Sequence, residues 1–478
     1  MLFSSLIFLF LFLPITIGLY LIAPKIGKNT VLLLASLLFY AWGGVSYLLV
    51  LIVSILLNHA IAIGINKGTD KKRKRWLASG VILNVLILAT FKYLDFAIEN
   101  VNGLLQLFQI RFELTEPGIK LPIGISFFTF QQMSMLWDVY RNEKREKLSL
   151  SDTALYVAFF PQLIAGPIVR YHDIIGQIRD RVPDAGLFRS GVQRFILGLF
   201  RKVVIANTCA ELVDRIMSMN TVELNPALAW FGLSLFAIQL YFDFAGYSDM
   251  AIGLGRMFGF RILENFNFPY ISKSVQEFWR RWHISLSNWF KDYVYIPLGG
   301  NRLGVSRTYV NLFAVFLLTG FWHGATWNFV LWGLIHGIFL VVERLGWKSV
   351  LDRLPGFVSW AYTIGVWVVS LAFFRIRNFS DSLDYLSAMF GMNESISDVS
   401  PFDLLNLEYG VVLAIALISS SKLLHYLKSW IQRQTAMMSE SLQLLFEMAK
   451  ASGLVAVFVF CIMLINAGSF DPFIYFRF

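Results

Sequence analysis

This sequence is short of charge. Only 15% of its 478 residues are Asp, Glu, Lys or Arg, against roughly 25% in an average soluble chain. With 57% hydrophobic residues, 45 Phe and 14 Trp, too little polar surface remains to cover a water-soluble globule. Cysteine is nearly absent. Cys209 and Cys461 both lie in largely apolar stretches, where buried free thiols are expected. No CxxC or Cys/His spacing fits a zinc site, and no metal centre is expected. The G-x-S-x-G elbow, HExxH, the Walker A loop and CxxCH are also missing. Gly253-Leu-Gly255-Arg-Met-Phe-Gly259 is one residue too long for a dinucleotide fingerprint, and reads as a helix break or close-packing element. These absences exclude a soluble enzyme, a disordered chain and a secreted disulfide scaffold. The apolar runs are continuous rather than alternating, which argues against a β-barrel. What remains is an all-α polytopic membrane protein, because lipid demands that every backbone polar group be satisfied internally.

The charges that are present sit in short loops. Lys and Arg total 41 against 31 Asp and Glu, a net charge of +10. Clustered between apolar runs, they speak for membrane topology and anionic lipid rather than nucleic acid. Residues 2–23 form a first apolar run, read as a retained helix. Residues 31–65 form a second run, which Gly43-Gly44 divides into two helices. The basic run 67–75 then marks the cytoplasmic side. Residues 76–98 lead out and 121–140 lead back to the charged loop 141–147. In the centre, 155–169, 195–209, 227–244 and 245–260 read as short or broken segments of the kind that line a cavity. The basic stretch 273–307 is expected inside. Later runs are 309–321, 327–342, 358–374, 409–420 and 454–465. The segment 378–403 has five acidic and no basic residues and is expected outside. Lys422, Lys428 and Arg433 belong to an interfacial amphipathic helix. About 11 spans are expected, with re-entrant and interfacial helices, in a single membrane domain over 1–478. Both termini fall outside, and 471–478 forms an aromatic tail. No internal repeat is visible.

Six histidines bound the acid–base chemistry. His59 and His336 lie in apolar helices, His172 and His425 in polar or interfacial stretches, and all four read as structural. His283, in Phe278-Trp-Arg-Arg-Trp-His-Ile-Ser-Leu-Ser-Asn-Trp-Phe-Lys-Asp292, is surrounded by aromatics with polar groups close by. So is His323, in Phe321-Trp-His-Gly-Ala-Thr-Trp-Asn-Phe329. A neutral imidazole in a partly dry cavity can act as a general base near neutral pH. The competing reading is an aromatic packing site with a hydrogen-bonded histidine.

Trp322-His323-Gly324, with Arg280-Arg281-Trp282-His283 forty residues earlier, resembles the membrane-bound O-acyltransferase (MBOAT) family. The blocks 121–131, 160–167, 241–249, 265–270 and 295–302 are similar to its bacterial alginate O-acetyltransferase branch. The resemblance implies a ring of tilted helices around a central funnel. It implies a catalytic histidine at His323 and a second functional histidine at His283. It implies acetyl-CoA as acyl donor on the cytoplasmic side, with no bound cofactor. An anionic donor suits the basic 273–307 segment, including Arg280 and Arg281. Asp243, Asp249, Asn288 and Asn328 are candidate orienting groups; the plainer alternative is cavity-facing polar groups satisfied by backbone and water. The family reading places the chain in a bacterial inner membrane, beside an SGNH-type acetyltransferase that completes transfer to an extracytoplasmic polysaccharide. Alginate, peptidoglycan, cellulose and other exopolysaccharides all remain open as the acceptor.

The chain ends Phe473-Ile-Tyr-Phe-Arg-Phe478 after Pro472, which discourages helix continuation. One reading is an interfacial aromatic belt. The sharper one makes Tyr475 an acyl relay, with His323 supplying the base that a phenol of pKa near 10 needs. The motif is similar to the Phe-x-Tyr-x-x-Phe tail of the small helper protein in lipoteichoic acid D-alanylation. Two readings of another class stand beside the enzyme: a transporter of acyl donor without chemistry, and a secretion-complex scaffold.

Overall fold

The computed structural model describes residues 1–393 and 398–468; Tyr475 and the tail 471–478 lie outside them. Among the described residues the chain is helical throughout, with no strand. Among these residues six helices are long and apolar enough to cross a membrane: Val45–Lys67, Asp70–Leu107, Pro226–Met257, Trp327–Leu351, Gly356–Arg375 and Glu440–Asn466. Phe8–Ile22, Lys28–Ala41 and Leu407–Ser420 are shorter apolar helices, and Val305–His323 is a further helix of 19 residues. The protein is thus a multi-pass membrane protein. Large apolar side chains such as Ile22, Leu107 and Leu407 stand fully out on its surface, as a lipid-facing exterior requires.

Gly43-Gly44 does separate two helices: Lys28–Ala41 stops, and Val45–Lys67 starts after Gly44 at φ 144°, a backbone conformation open to glycine. The centre differs from expectation. Residues 227–260 do not form two interrupted segments, because Pro226–Met257 is one helix of 32 residues. Residues 195–209 likewise run on from Ala185–Phe200 through a π-helical turn, Arg201–Ala206, into Asn207–Met217.

The carboxylates that suggested a break are each matched by a cation. Lys202 Nζ lies 2.8 Å from Asp243 Oδ1, with both side chains 2% exposed, and also donates to Asn207 Oδ1 at 3.0 Å. Asp249 accepts from Arg194 at 2.6 Å and from Arg201. A buried carboxylate paired in this way can stay inside a continuous helix.

Glycines let these two helices meet at their backbones. A Cβ on Gly198 would lie 2.7 Å from the Gly246 carbonyl oxygen, and one on Gly246 2.8 Å from that of Gly198. Gly191 and Gly253 face each other in the same way, at 2.6 and 2.7 Å. Gly253 therefore belongs to a close-packing element and not to a helix break. Small residues at such spacing are how helices approach closely in lipid, where no hydrophobic drive presses them together.

The charged loops gather at one end of the molecule. Arg73 donates to the carbonyl of Tyr140 at 2.5 Å. Arg141 donates to the carbonyl of Asp292 at 2.8 Å, and Arg179 pairs with Glu146. The long helices are joined below the surface by a polar network. Ser54 Oγ and Asn58 Nδ2 donate to Gln132 Oε1 at 2.7 and 2.9 Å, and Asn84 Nδ2 donates to Asn58 Oδ1 at 2.7 Å.

Candidate active site

His323 is the last residue of the Val305–His323 helix, which turns back at once into Trp327–Val342. The hairpin is held by glycines. A Cβ on Gly320 would lie 2.3 Å from the Phe329 carbonyl oxygen, and one on Gly333 2.4 Å from that of Phe316. Gly324 answers a tighter need. A Cβ there would sit 2.2 Å from the Phe329 ring. The glycine of Trp-His-Gly is thus a packing requirement of the turn that presents the histidine.

His323 as a whole residue is 5% exposed. Its ring packs edge-on to Trp322 (4.9 Å between ring centroids), Trp332 (5.0 Å) and Phe374 (5.3 Å). The His283 ring also meets Trp322, at 5.8 Å, and stands edge-on to Phe244 at 4.7 Å. The indole of Trp322 therefore joins the two histidines, which lie forty residues apart in the chain.

His283 is held by Asn265. Its backbone is left-handed, φ 43° and ψ 54°, at the start of the Ile284–Phe290 helix. A non-glycine residue pays strain there and keeps it only where the surroundings impose it. The Asn265 carbonyl accepts from the Ile284 N–H at 2.9 Å. Its side-chain Oδ1 accepts from Ser285 Oγ at 2.9 Å and lies 3.1 Å from His283 Nδ1. Its Nδ2 donates to Ser248 Oγ at 3.0 Å, tying the loop to Pro226–Met257. Because Oδ1 only accepts, Nδ1 carries the proton, and Nε2 of the neutral ring offers a lone pair.

That Nε2 has no protein partner among the described residues. Nor do His323 Nδ1, Trp322 Nε1 and Trp332 Nε1, although all four atoms are buried. Buried polar groups are normally bonded. Unbonded donors and acceptors on and between two imidazoles suit a site that meets a polar ligand or water. A cavity of 1170 Å³ opens alongside, lined by Gly324 to Phe329 directly after His323, and by Lys92, Asp95, Glu99, Arg375 and Arg377 among others.

Among the described residues, no hydrogen bond joins Asp249, Asn288 or Asn328 to the His323 ring. Asp243 and Asp249 meet the cations already named. Asn328 lines the cavity, but its Nδ2 donates to the Ile376 carbonyl at 2.7 Å and to Ser382 Oγ at 2.9 Å. That fixes the hairpin to its neighbouring helices. Asn288 is half-buried on the Ile284–Phe290 helix. Arg280 is exposed and borders a 230 Å³ pocket with Trp279 and Lys291. Arg281 pairs with Glu277 at 2.9 Å and donates to the Asn267 carbonyl at 3.1 Å. His336 Nε2 lies 3.1 Å from Ser370 Oγ, and His59 Nδ1 3.0 Å from Thr153 Oγ1.

Asn265 was present in a motif block but had no role assigned from sequence. Its signal was its place in Asn265-Phe-Asn-Phe-Pro-Tyr270, just before the His283 block.

Comparison with known proteins identifies the family. The profile of the MBOAT, membrane-bound O-acyltransferase, family matches residues 124–380, which include both histidines. The chain is 42% identical to the probable alginate O-acetylase of Pseudomonas aeruginosa over 87% of this chain and 80% of that one. It is 40% identical to the peptidoglycan O-acetyltransferase of Helicobacter pylori over 82% and 80%. A more distant relative is the teichoic acid D-alanyltransferase of Bacillus subtilis, 31% identical over 49% of this chain and 62% of that one. The chain belongs to the membrane-bound O-acyltransferase family and is an acyltransferase.

Proposed function

We propose that the protein takes acetyl from acetyl-CoA on the cytoplasmic face of a bacterial inner membrane and delivers it outward for O-acetylation of a cell-envelope polysaccharide. His323 is the general base and His283 the second functional histidine. The observation that carries this reading is the pair of buried imidazoles on Trp322, with ring nitrogens left unbonded beside a large cavity. Orientation draws support from the charged stretches 67–75 and 141–147 and the Lys291–Tyr295 turn of the basic 273–307 segment, which converge at one end, as cytoplasmic segments should. Lys92 and Asn100 meet the His323 end of the hairpin, toward the opposite face.

The acyl step conserves atoms. His323 removes the proton from an acceptor hydroxyl, the oxygen attacks the thioester carbonyl, and the CoA thiolate leaves and takes up the proton. Tyr475 is the proposed acceptor, giving an acetyl-tyrosine ester. An SGNH-type partner then takes the acetyl group onto its own hydroxyl and passes it to the polymer. An alginate-like polysaccharide is the first choice of polymer, given the names of the relatives, and peptidoglycan is the alternative. The test is peptide mass spectrometry after incubation with acetyl-CoA, wild type beside His323→Ala. An acetyl mass on the C-terminal peptide of the wild type alone supports the whole scheme. His323-dependent turnover without that mass removes the tyrosine relay. Absence of both removes the scheme.

A further inference from the structure

The helix that ends at His323 leaves its final carbonyls without intrahelical partners, as every helix does. Two consecutive residues from a distant helix meet them. Lys92 Nζ donates to the Trp322 carbonyl at 2.5 Å and reaches that of His323 at 3.4 Å. Tyr93 Oη donates to the Phe321 carbonyl at 2.6 Å. The carbonyls of all three residues up to and including the histidine are thus gripped from outside.

Several features make this more than incidental capping. Lys92 and Tyr93 close a π-helical turn, Ala89–Tyr93, within the long Asp70–Leu107 helix. Such a turn departs from regular α geometry and recurs at functional positions. Lys92 Nζ meets carbonyl oxygens and no carboxylate among the described residues, and it also stands 6.0 Å from the centre of the Trp322 ring. A cation at a helix C-terminus complements the negative end of the helix dipole. Lys92 lines the cavity next to Gly324, so the grip lies at the edge of the reaction space. Neither residue falls within the stretch that the family profile matches.

We propose that Lys92 and Tyr93 are positioning residues that fix the depth and angle at which the helix end presents His323 and Trp322. The proposal rests on the reading of His323 as the base. Fixing a base matters because a misplacement of about 1 Å can cost on the order of 100-fold in rate.

The experiment measures kcat and KM for acetyl-CoA turnover by the full-length protein in detergent, with melting temperature alongside. The variants are Lys92→Met, Lys92→Arg, Tyr93→Phe and His323→Ala. Lys92→Met is expected to lower kcat about 30-fold with KM changed less than about threefold, as loss of alignment rather than of binding demands. Lys92→Arg should recover to within about fivefold of wild type, since it restores a cation at the helix end. Tyr93→Phe, which removes one hydroxyl, is expected to fold normally and lose about three- to tenfold in kcat. Wild-type kcat in both Lys92→Met and Tyr93→Phe overturns the proposal, as does a loss confined to KM. So does a fall in melting temperature that tracks the fall in kcat across all three clamp variants. An inactive His323→Ala beside active clamp variants sinks only the clamp, whereas a fully active His323→Ala sinks the base assignment and the clamp together.

Discussion

Asn265 and His283 form a single mechanical unit: the oxygen that receives the imidazole proton is the same atom that receives the Ser285 hydroxyl. One amide therefore sets both the tautomer of the ring and the left-handed turn on which it stands. Asn265→Ala should lower acetyl-CoA turnover about 10- to 100-fold while leaving the helical circular dichroism unchanged. Wild-type turnover in this variant would show that the orientation of His283 is set elsewhere.

His323→Gln keeps a similar volume and puts a hydrogen-bonding amide in place of the imidazole, but it cannot take up a proton near neutral pH. Its turnover is expected to fall by about 100- to 10,000-fold, the range a general base commands. A residual activity above a tenth of wild type would contradict the assignment.

The backbone contact between Gly198 and Gly246 makes a stability prediction with an internal control. Gly246→Ala places a methyl group against the Gly198 carbonyl and the Lys202 N–H, and overpacking of that kind costs about 1–3 kcal/mol. Gly365→Ala, on the Gly356–Arg375 helix, meets nothing within 4 Å. It should be neutral or stabilising by about 0.5–1 kcal/mol. Thermal unfolding in detergent separates the two; equal melting points would mean that the helix pair is looser than described.

His172 gives a pH dependence. Its Nδ1 lies 2.9 Å from Asp138 Oδ2, and this hydrogen bond raises its pKa above the ordinary 6.5. Asp173 adds to the effect, while partial burial and Arg170 oppose it. A folded value above the unfolded one means that the contribution is fully present below pH 6.5 and is lost as pH rises through the raised value. The side chain is half exposed, so the effect is small. The melting temperature of the wild type should fall more than that of His172→Gln between about pH 6 and pH 9. Parallel curves would show that the pair carries no stability.

How far these features could be read from sequence depended on where their partners lie. The break at Gly43-Gly44 and the basic stretches were legible, because each is marked by its neighbours in the chain. The continuity of Pro226–Met257 was not. Asp243 and Asp249 look like interruptions until Lys202, Arg194 and Arg201 are seen beside them. Asp243 and Asp249 were also candidates to orient His323, and each turned out to have its own cation. Lys92 and Tyr93 carried no signal at all, since their partners are backbone carbonyls, which every residue has.

The pairing of Asp243 and Asp249 also bears on how the chain enters the bilayer. A carboxylate at the centre of a lone apolar helix costs about 2.5–3.5 kcal/mol on insertion. Lys202, Arg194 and Arg201 all precede the two aspartates in sequence, so the neutralising charges leave the ribosome first. The Pro226–Met257 segment therefore emerges with the cations for both of its carboxylates already synthesised, and pairing with them offsets the cost of burying the two charges.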